Sequence, residues 1–179
     1  MTKRKQISDV ITDFLNKNAT WYTNLILIGL ILFFNLVLFP LVYKPSEITI
    51  PLDLQFSYSP EKAYTLLEKY NQEELRQYVI GELTVDFIYP IVYTLFLVFL
   101  IFKLSKKKTL SLFPLLILFL DYFENIGIVT LIIQLPQKLP NLVMLTSLFT
   151  SLKWILIAIT IVLIFTLVIV KFYNQRAKN

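Results

Sequence analysis

Leu118-Phe119-Leu120-Asp121-Tyr122-Phe123-Glu124-Asn125-Ile126 is the stretch that decides the fold. Two carboxyl groups and an amide stand inside an apolar run that extends from Leu110 to Leu135. A charged side chain at the centre of a bilayer costs ~2.5–3.5 kcal/mol even on insertion scales. Spaced i, i+3, i+4, Asp121, Glu124 and Asn125 share one face of a helix. That face must meet protein or water rather than hydrocarbon. The pattern predicts an integral membrane protein with a polar interior.

Composition agrees. The chain has 179 residues, 56% hydrophobic and only 16% charged, where a soluble domain carries about 25% charged residues. Its mean hydropathy is +0.67. The length allows one domain. With neither Cys nor His, the chain has no thiol chemistry, no disulfide, no Ser-His or Cys-His arrangement and few routes to a transition-metal site. No catalytic residue, cofactor or metal site is assigned from spacing. Gly occurs only at positions 29, 81 and 127, so no Gly-rich phosphate loop exists. The net charge of +5 does not imply nucleic acid, because the basic residues cluster at the edges of the apolar segments.

Four segments reach the ~20 apolar residues that spanning requires. They predict an all-α, four-helix membrane bundle with spans at residues 21–43, 83–104, 110–135 and 142–171. Residues 1–20 precede them. Residues 44–82 form a long loop on the far side, 105–109 a basic loop, 136–141 a short outer loop and 172–179 a basic tail. The first span is too long for a signal-peptide core and is followed by Pro40-Leu41-Val42-Tyr43-Lys44 rather than small residues, so it reads as retained. Of the seventeen basic residues, eleven lie before the first span, between the second and third, or after the fourth. The other side holds five: Lys44, Lys62, Lys69, Arg76 and Lys138. The positive-inside rule then places both termini in the cytoplasm, the expected host being the cell membrane.

The flanks carry their own signals. Ile7, Val10, Ile11, Phe14 and Leu15 form an apolar stripe beside Lys3-Arg4-Lys5, which reads equally as an interface-lying helix or a plain cytoplasmic one. In the long loop, Pro45, Pro51 and the alternating Leu52, Leu54, Phe56 and Tyr58 read as extended chain. Ser59-Pro60 opens a helix as N-cap and first-turn proline. Asn71 with Glu74 makes an imperfect capping box for a second helix that runs towards the second span. This helical cap is expected to pack over the bundle mouth.

The interior polar residues line up by helical spacing. Glu82, Asp86, Tyr89 and Tyr93 follow i, i+4, i+7, i+11, and Pro90 beside them frees the carbonyl of Asp86 and predicts a kink. Asn35 comes from the first span, Asp121, Glu124 and Asn125 from the third, and Thr146, Thr150 and Lys153 from the fourth. Together they predict one polar funnel open to the outside. Each has a structural reading beside the functional one. Lys153 fits an ion pair with Asp121 or Glu124 that fixes helix register, Asp86 fits a snorkelling carboxylate, and Tyr89 and Tyr93 fit packing. Charge argues for more: Asp86, Asp121 and Glu124 face a single lysine. One acid must be protonated, hydrated, or paired with a cation the sequence does not supply.

Leu52-Asp53-Leu54-Gln55 after the first span, with Glu82-Leu83, Pro90, Tyr93 and Phe96-Leu97, resembles the EXPERA group of small four-helix membrane proteins, which includes sterol isomerases and the sigma-2-type receptor. The resemblance covers about a third of the chain. It implies a pocket for a sterol-like or cationic amphiphilic ligand, with Asp53 and Glu82 matching acidic positions near it. The chain departs from the isomerase pattern in having no His.

The functional expectation is an acidic, lipid-accessible pocket that binds a small cationic or amphiphilic ligand or a partner membrane protein. Its residues are Asn35, Asp53, Glu82, Asp86, Tyr89, Tyr93, Asp121, Glu124, Asn125, Thr150 and Lys153. Two alternatives stand beside it. One is a proton- or cation-coupled carrier using Asp121, Glu124 and Lys153, which with four spans would act as a homo- or hetero-oligomer. The other is an intramembrane lipid-modifying enzyme. The lipid bilayer is the one partner common to all three.

Overall fold

The computed structural model describes residues 2–43 and 50–176, with side chains from residue 7 onward. The side chains of Lys3, Arg4 and Lys5, and all of Lys44, Pro45 and Lys178, lie outside the described residues. Among the described residues every regular element is a helix. Four helical stretches are long and apolar enough to cross a membrane: Trp21–Val42, Gln72–Ser105, Lys108–Ile133 and Pro140–Arg176.

Helix α1 (Thr2–Asn18) leads in. Its stripe divides: Leu15 is buried and Ile11 half-buried against the bundle, while Ile7, Val10 and Phe14 remain exposed. Thr20 then caps α2 (Trp21–Phe33), accepting a bond from the Thr23 amide at 3.0 Å. The first long helix is not regular throughout. Pro40 has no N–H to give to the carbonyl four residues back, and residues Phe34–Leu38 widen into a π-turn in which the Phe39 amide bonds Phe34 O. A short α3 (Phe39–Val42) completes the segment.

Between the first and second long helices, Leu52–Leu54 form a 3-10 turn. Ser59 and Pro60 open α4 (Pro60–Leu67), with Ser59 Oγ accepting from the Lys62 amide at 3.2 Å. Asn71 and Glu74 form a complete reciprocal capping box, at 3.0 and 2.8 Å, on α5 (Gln72–Leu83). A break at Thr84 separates α5 from α6 (Val85–Ser105). The third stretch has two parts: a short α7 (Lys108–Ser111) and α8 (Leu115–Ile133), with Pro114 at the N-cap of α8. The fourth, α9 (Pro140–Arg176), has 37 residues. At 1.5 Å per residue it is about 55 Å long, well beyond a ~30 Å hydrocarbon core.

Helix α6 is central and packs against α2, α8 and α9. The α8–α9 contact is the tightest. A Cβ built on Gly127 of α8 would lie 2.2 Å from Thr146 Oγ1 of α9, so the two backbones approach only because that side chain is absent.

Residues 50–83 do not hang free. Leu52, Tyr58, Tyr64, Leu67 and Tyr78 share a buried cluster with Ile128, Leu131 and Val143 of α8 and α9. Hydrogen bonds anchor the extended stretch along α9: the Tyr58 amide donates to Ser147 Oγ at 2.9 Å, Ser151 Oγ to Phe56 O at 2.8 Å, and Trp154 Nε1 to Asp53 O at 3.3 Å.

Polarity is inverted relative to a soluble bundle. Asn24, Asp121, Glu124, Asn125, Thr146 and Lys153 are all buried, while Leu25, Leu36, Phe123, Ile126, Val162 and Phe165 are exposed.

Candidate functional site

A cavity of about 610 Å³ lies between α2–α3 on one side and α9 on the other, with α6 and α8 behind and residues Pro51–Leu54 across one end. Its polar groups come from Asn35, Asp53, Asp86, Tyr89, Tyr93, Asp121 and Lys153. Its walls are aromatic and aliphatic, from Phe39, Tyr43, Leu97, Trp154 and Ile157. At the opposite end of the bundle Lys103 and Lys171 stand 5.9 and 5.8 Å over the ring of Trp21, tying the start of α2 to the ends of α6 and α9.

Two internal networks order the cavity. In the first, the π-turn carries Asn35, whose Nδ2 donates to Ile31 O at 2.8 Å and to Tyr89 OH at 2.9 Å. Tyr89 in turn meets Phe39 edge-on at 5.0 Å and Tyr93 at 5.4 Å between ring centroids. In the second, Tyr93 OH donates to Asp121 Oδ2, Lys153 Nζ lies 3.5 Å from Asp121 Oδ1, and the same ammonium contacts Glu124 Oε2. Lys153 is therefore paired with both acids that the sequence offers it. Glu124 Oε1 has no hydrogen-bond partner.

A third group gathers at the other end. Oxygens of Asp53, Glu82 and Asp86 all lie within 4.8 Å of one another. Asp53 sits on the 3-10 turn, where Tyr78 OH donates to its Oδ1 at 3.0 Å while accepting from the Leu52 amide at 2.9 Å. Burial pushes the Asp53 carboxyl above its ordinary pKa; the charge of Lys153 and the Tyr78 hydroxyl pull the other way. Glu82 is behind the cavity wall and 1% exposed. Among the described residues its Oε1 has only the Tyr43 hydroxyl, at 3.5 Å, and its Oε2 has no partner. Five carboxyl groups are thus arranged around one ammonium. The donors are all oxygens, a set suited to hard cations.

Not every residue of the expected site reaches the cavity. Asn125 is structural on its donor side: its Nδ2 donates to Asp86 O at 3.0 Å, the carbonyl that Pro90 leaves without its helical partner. Tyr122 OH caps the next carbonyl, Phe87 O, at 3.0 Å. Thr150 bonds Thr146 O at 3.0 Å and lies 3.4 Å from Tyr58 OH, so it joins α9 to the loop rather than lining the cavity. Glu82 and Glu124 back the wall.

Other residues were missed by spacing. Phe39 stands one turn beyond Asn35, and Ile157 continues the Thr146–Thr150–Lys153 stripe, so both carried a signal. Trp154 carried none and Asp53 entered only through the resemblance, because their placement depends on the loop lying along α9. Compared with models of protein families, with curated proteins and with solved structures, the chain matches none of them.

Proposed function

We propose that this chain is a multi-pass membrane protein whose cavity binds a cationic amphiphile, with the ligand's charged head at Asp53 and Asp86 and its apolar body along Phe39, Tyr89, Leu97, Trp154 and Ile157. The observation that carries this reading is the joining, in one 610 Å³ cavity, of unpaired carboxylates with an aromatic and aliphatic wall. Carboxylates alone would favour a small hydrated ion, and an apolar wall alone would favour neutral lipid. Entry is sideways, between the stretch that carries Asn35, Phe39 and Tyr43 and α9, which line the cavity from opposite sides. The outward-facing leucines, isoleucines and phenylalanines meet lipid, and the basic ends of the chain face the cytoplasm of the cell membrane. The resemblance to the EXPERA group implies a ligand of the same kind, with Asp53 and Glu82 as acidic positions near its pocket.

Binding is favoured over a carrier because Asp121, Glu124 and Lys153 are engaged with one another. The test is calorimetric titration of the detergent-solubilised, EDTA-treated protein with a long-chain tertiary amine and with the alcohol of equal chain length. The amine should bind at least ~10-fold tighter, about 1.4 kcal/mol, and Asp86→Asn should remove that preference. Equal affinities for amine and alcohol would reject the reading.

A further inference from the structure

We propose that Asp53, Glu82 and Asp86 form a site for a hard divalent cation of Ca²⁺ size. The three carboxylates come from separate pieces of chain: the 3-10 turn, the last turn of α5 and the first turn of α6. Glu82 and Asp86, four residues apart, flank the break at Thr84. Their oxygens lie within 4.8 Å of one another, the span over which ligands at 2.3–2.6 Å meet across a Ca²⁺ ion.

A second observation is independent of that clustering. Glu82 is 1% exposed, and its buried Oε2 has no hydrogen-bond donor among the described residues. A carboxylate oxygen buried without a partner loses its hydration with nothing in exchange. The buried ammonium of Lys153 does not fill the gap, since Asp121 and Glu124 hold it. A divalent cation between Glu82, Asp53 and Asp86 supplies the missing partner and offsets two of their three negative charges. The cluster is also braced: Tyr78 holds Asp53 from one side, and Asn125 holds the backbone of Asp86 from the other. With oxygen donors alone, the site selects Ca²⁺ or a similar hard ion over zinc or copper. The ion shares Asp53 and Asp86 with the amine head proposed above, whereas Glu82, behind the wall, serves the ion alone.

The test uses the full chain in detergent, stripped with EDTA and free of amine. Wild-type protein should gain about 5–10 °C in Tm at a hundredfold excess of Ca²⁺ over Kd. Tb³⁺ should bind one per chain, with emission sensitised through Tyr43 and Tyr78, and Ca²⁺ should displace it. Glu82→Gln should lose both responses, and Glu73→Gln, on the exposed face of α5, should keep both. Absence of a Ca²⁺ shift and of Tb³⁺ emission in the wild type would mean that the acids hold protons instead, and would overturn the proposal. So would a Glu82→Gln protein that responds like the wild type. If Glu82→Gln does not fold, the wild-type titration and Ca²⁺ displacement still decide. Amine binding without a metal response sinks the ion alone; a metal response without amine binding sinks the amphiphile reading alone.

Discussion

Lys153 of α9 and Glu124 of α8 form a buried ion pair in which neither side chain is more than 8% exposed. Asp121, one turn away on α8, adds a second acid at 3.5 Å. Breaking a buried pair by removing one member leaves an uncompensated charge and typically costs about 3–5 kcal/mol. Lys153→Met is therefore expected to lower the Tm of the solubilised protein strongly. Adding Glu124→Gln to that variant removes the orphaned charge and should recover part of the loss. A double-mutant cycle read by thermal melting checks this, and a coupling energy near zero would reject the pairing.

The α8–α9 interface depends on a missing methyl. At Gly127 an added Cβ would stand 2.2 Å from Thr146 Oγ1, 2.8 Å from its Cγ2 and 3.0 Å from its Cβ. Rotating Thr146 turns a branch away only by breaking the bond that its Oγ1 donates to Leu142 O, and it leaves the Cβ in place. Gly127→Ala must then push the helices apart, at about 1–3 kcal/mol. Thr146→Ala removes two of the three contacts and should rescue most of that loss. Equal melting of Gly127→Ala and the wild type would show that the helices are not held this closely.

Much of this architecture was legible because helical periodicity reports partners. The four apolar segments, the Ser59 cap, the Asn71–Glu74 box and the pairing of Lys153 with α8 all follow from spacing along one helix. The π-turn at Phe34–Leu38 was not legible, since Pro40 announces a disturbed hydrogen bond but not how the backbone absorbs it. The loop was the larger gap. The period-two alternation of Leu52, Leu54, Phe56 and Tyr58 carries no mark of the surface it lies on, nor of the 3-10 turn that Leu52–Leu54 adopt in place of extended chain. Its docking onto Ser147, Ser151 and Trp154 is what brings Asp53 beside Asp86. Hence helical spacing reaches Glu82 and Asp86, while the place of Asp53 beside them is a tertiary fact.

Pro90 and Asn125 should be coupled for a related reason. Proline denies Asp86 O its helical donor, and Asn125 Nδ2 supplies one from the neighbouring helix at 3.0 Å. Asn125→Leu leaves that carbonyl buried without a donor, a loss of about 1–3 kcal/mol. In a Pro90→Ala background the restored amide can bond Asp86 O directly, so the same Asn125→Leu change should cost clearly less. Thermal melts of the two single variants and the double variant measure the difference. Identical costs of Asn125→Leu in both backgrounds would assign the asparagine another role.

Orientation decides which compartment the acidic end of the cavity faces. Among the seventeen basic residues, eleven lie on the side that holds both termini and the Lys106-Lys107-Lys108 turn, which the charge rule assigns to the cytoplasm. The other side carries the 44–82 segment, with seven acids against four bases. Because the chain contains no cysteine, single cysteines can be introduced and labelled without background. A membrane-impermeant maleimide applied to intact cells should label Lys69→Cys and spare Lys107→Cys. After permeabilisation both should react. Lys107 and Lys69 are both surface positions, so neither substitution disturbs packing and both variants should insert normally. The reverse pattern, with Lys107→Cys labelled from outside, would place the acidic end of the cavity in the cytoplasm. A Ca²⁺-sized site there would face a compartment far poorer in that ion, and the orientation would have to be abandoned.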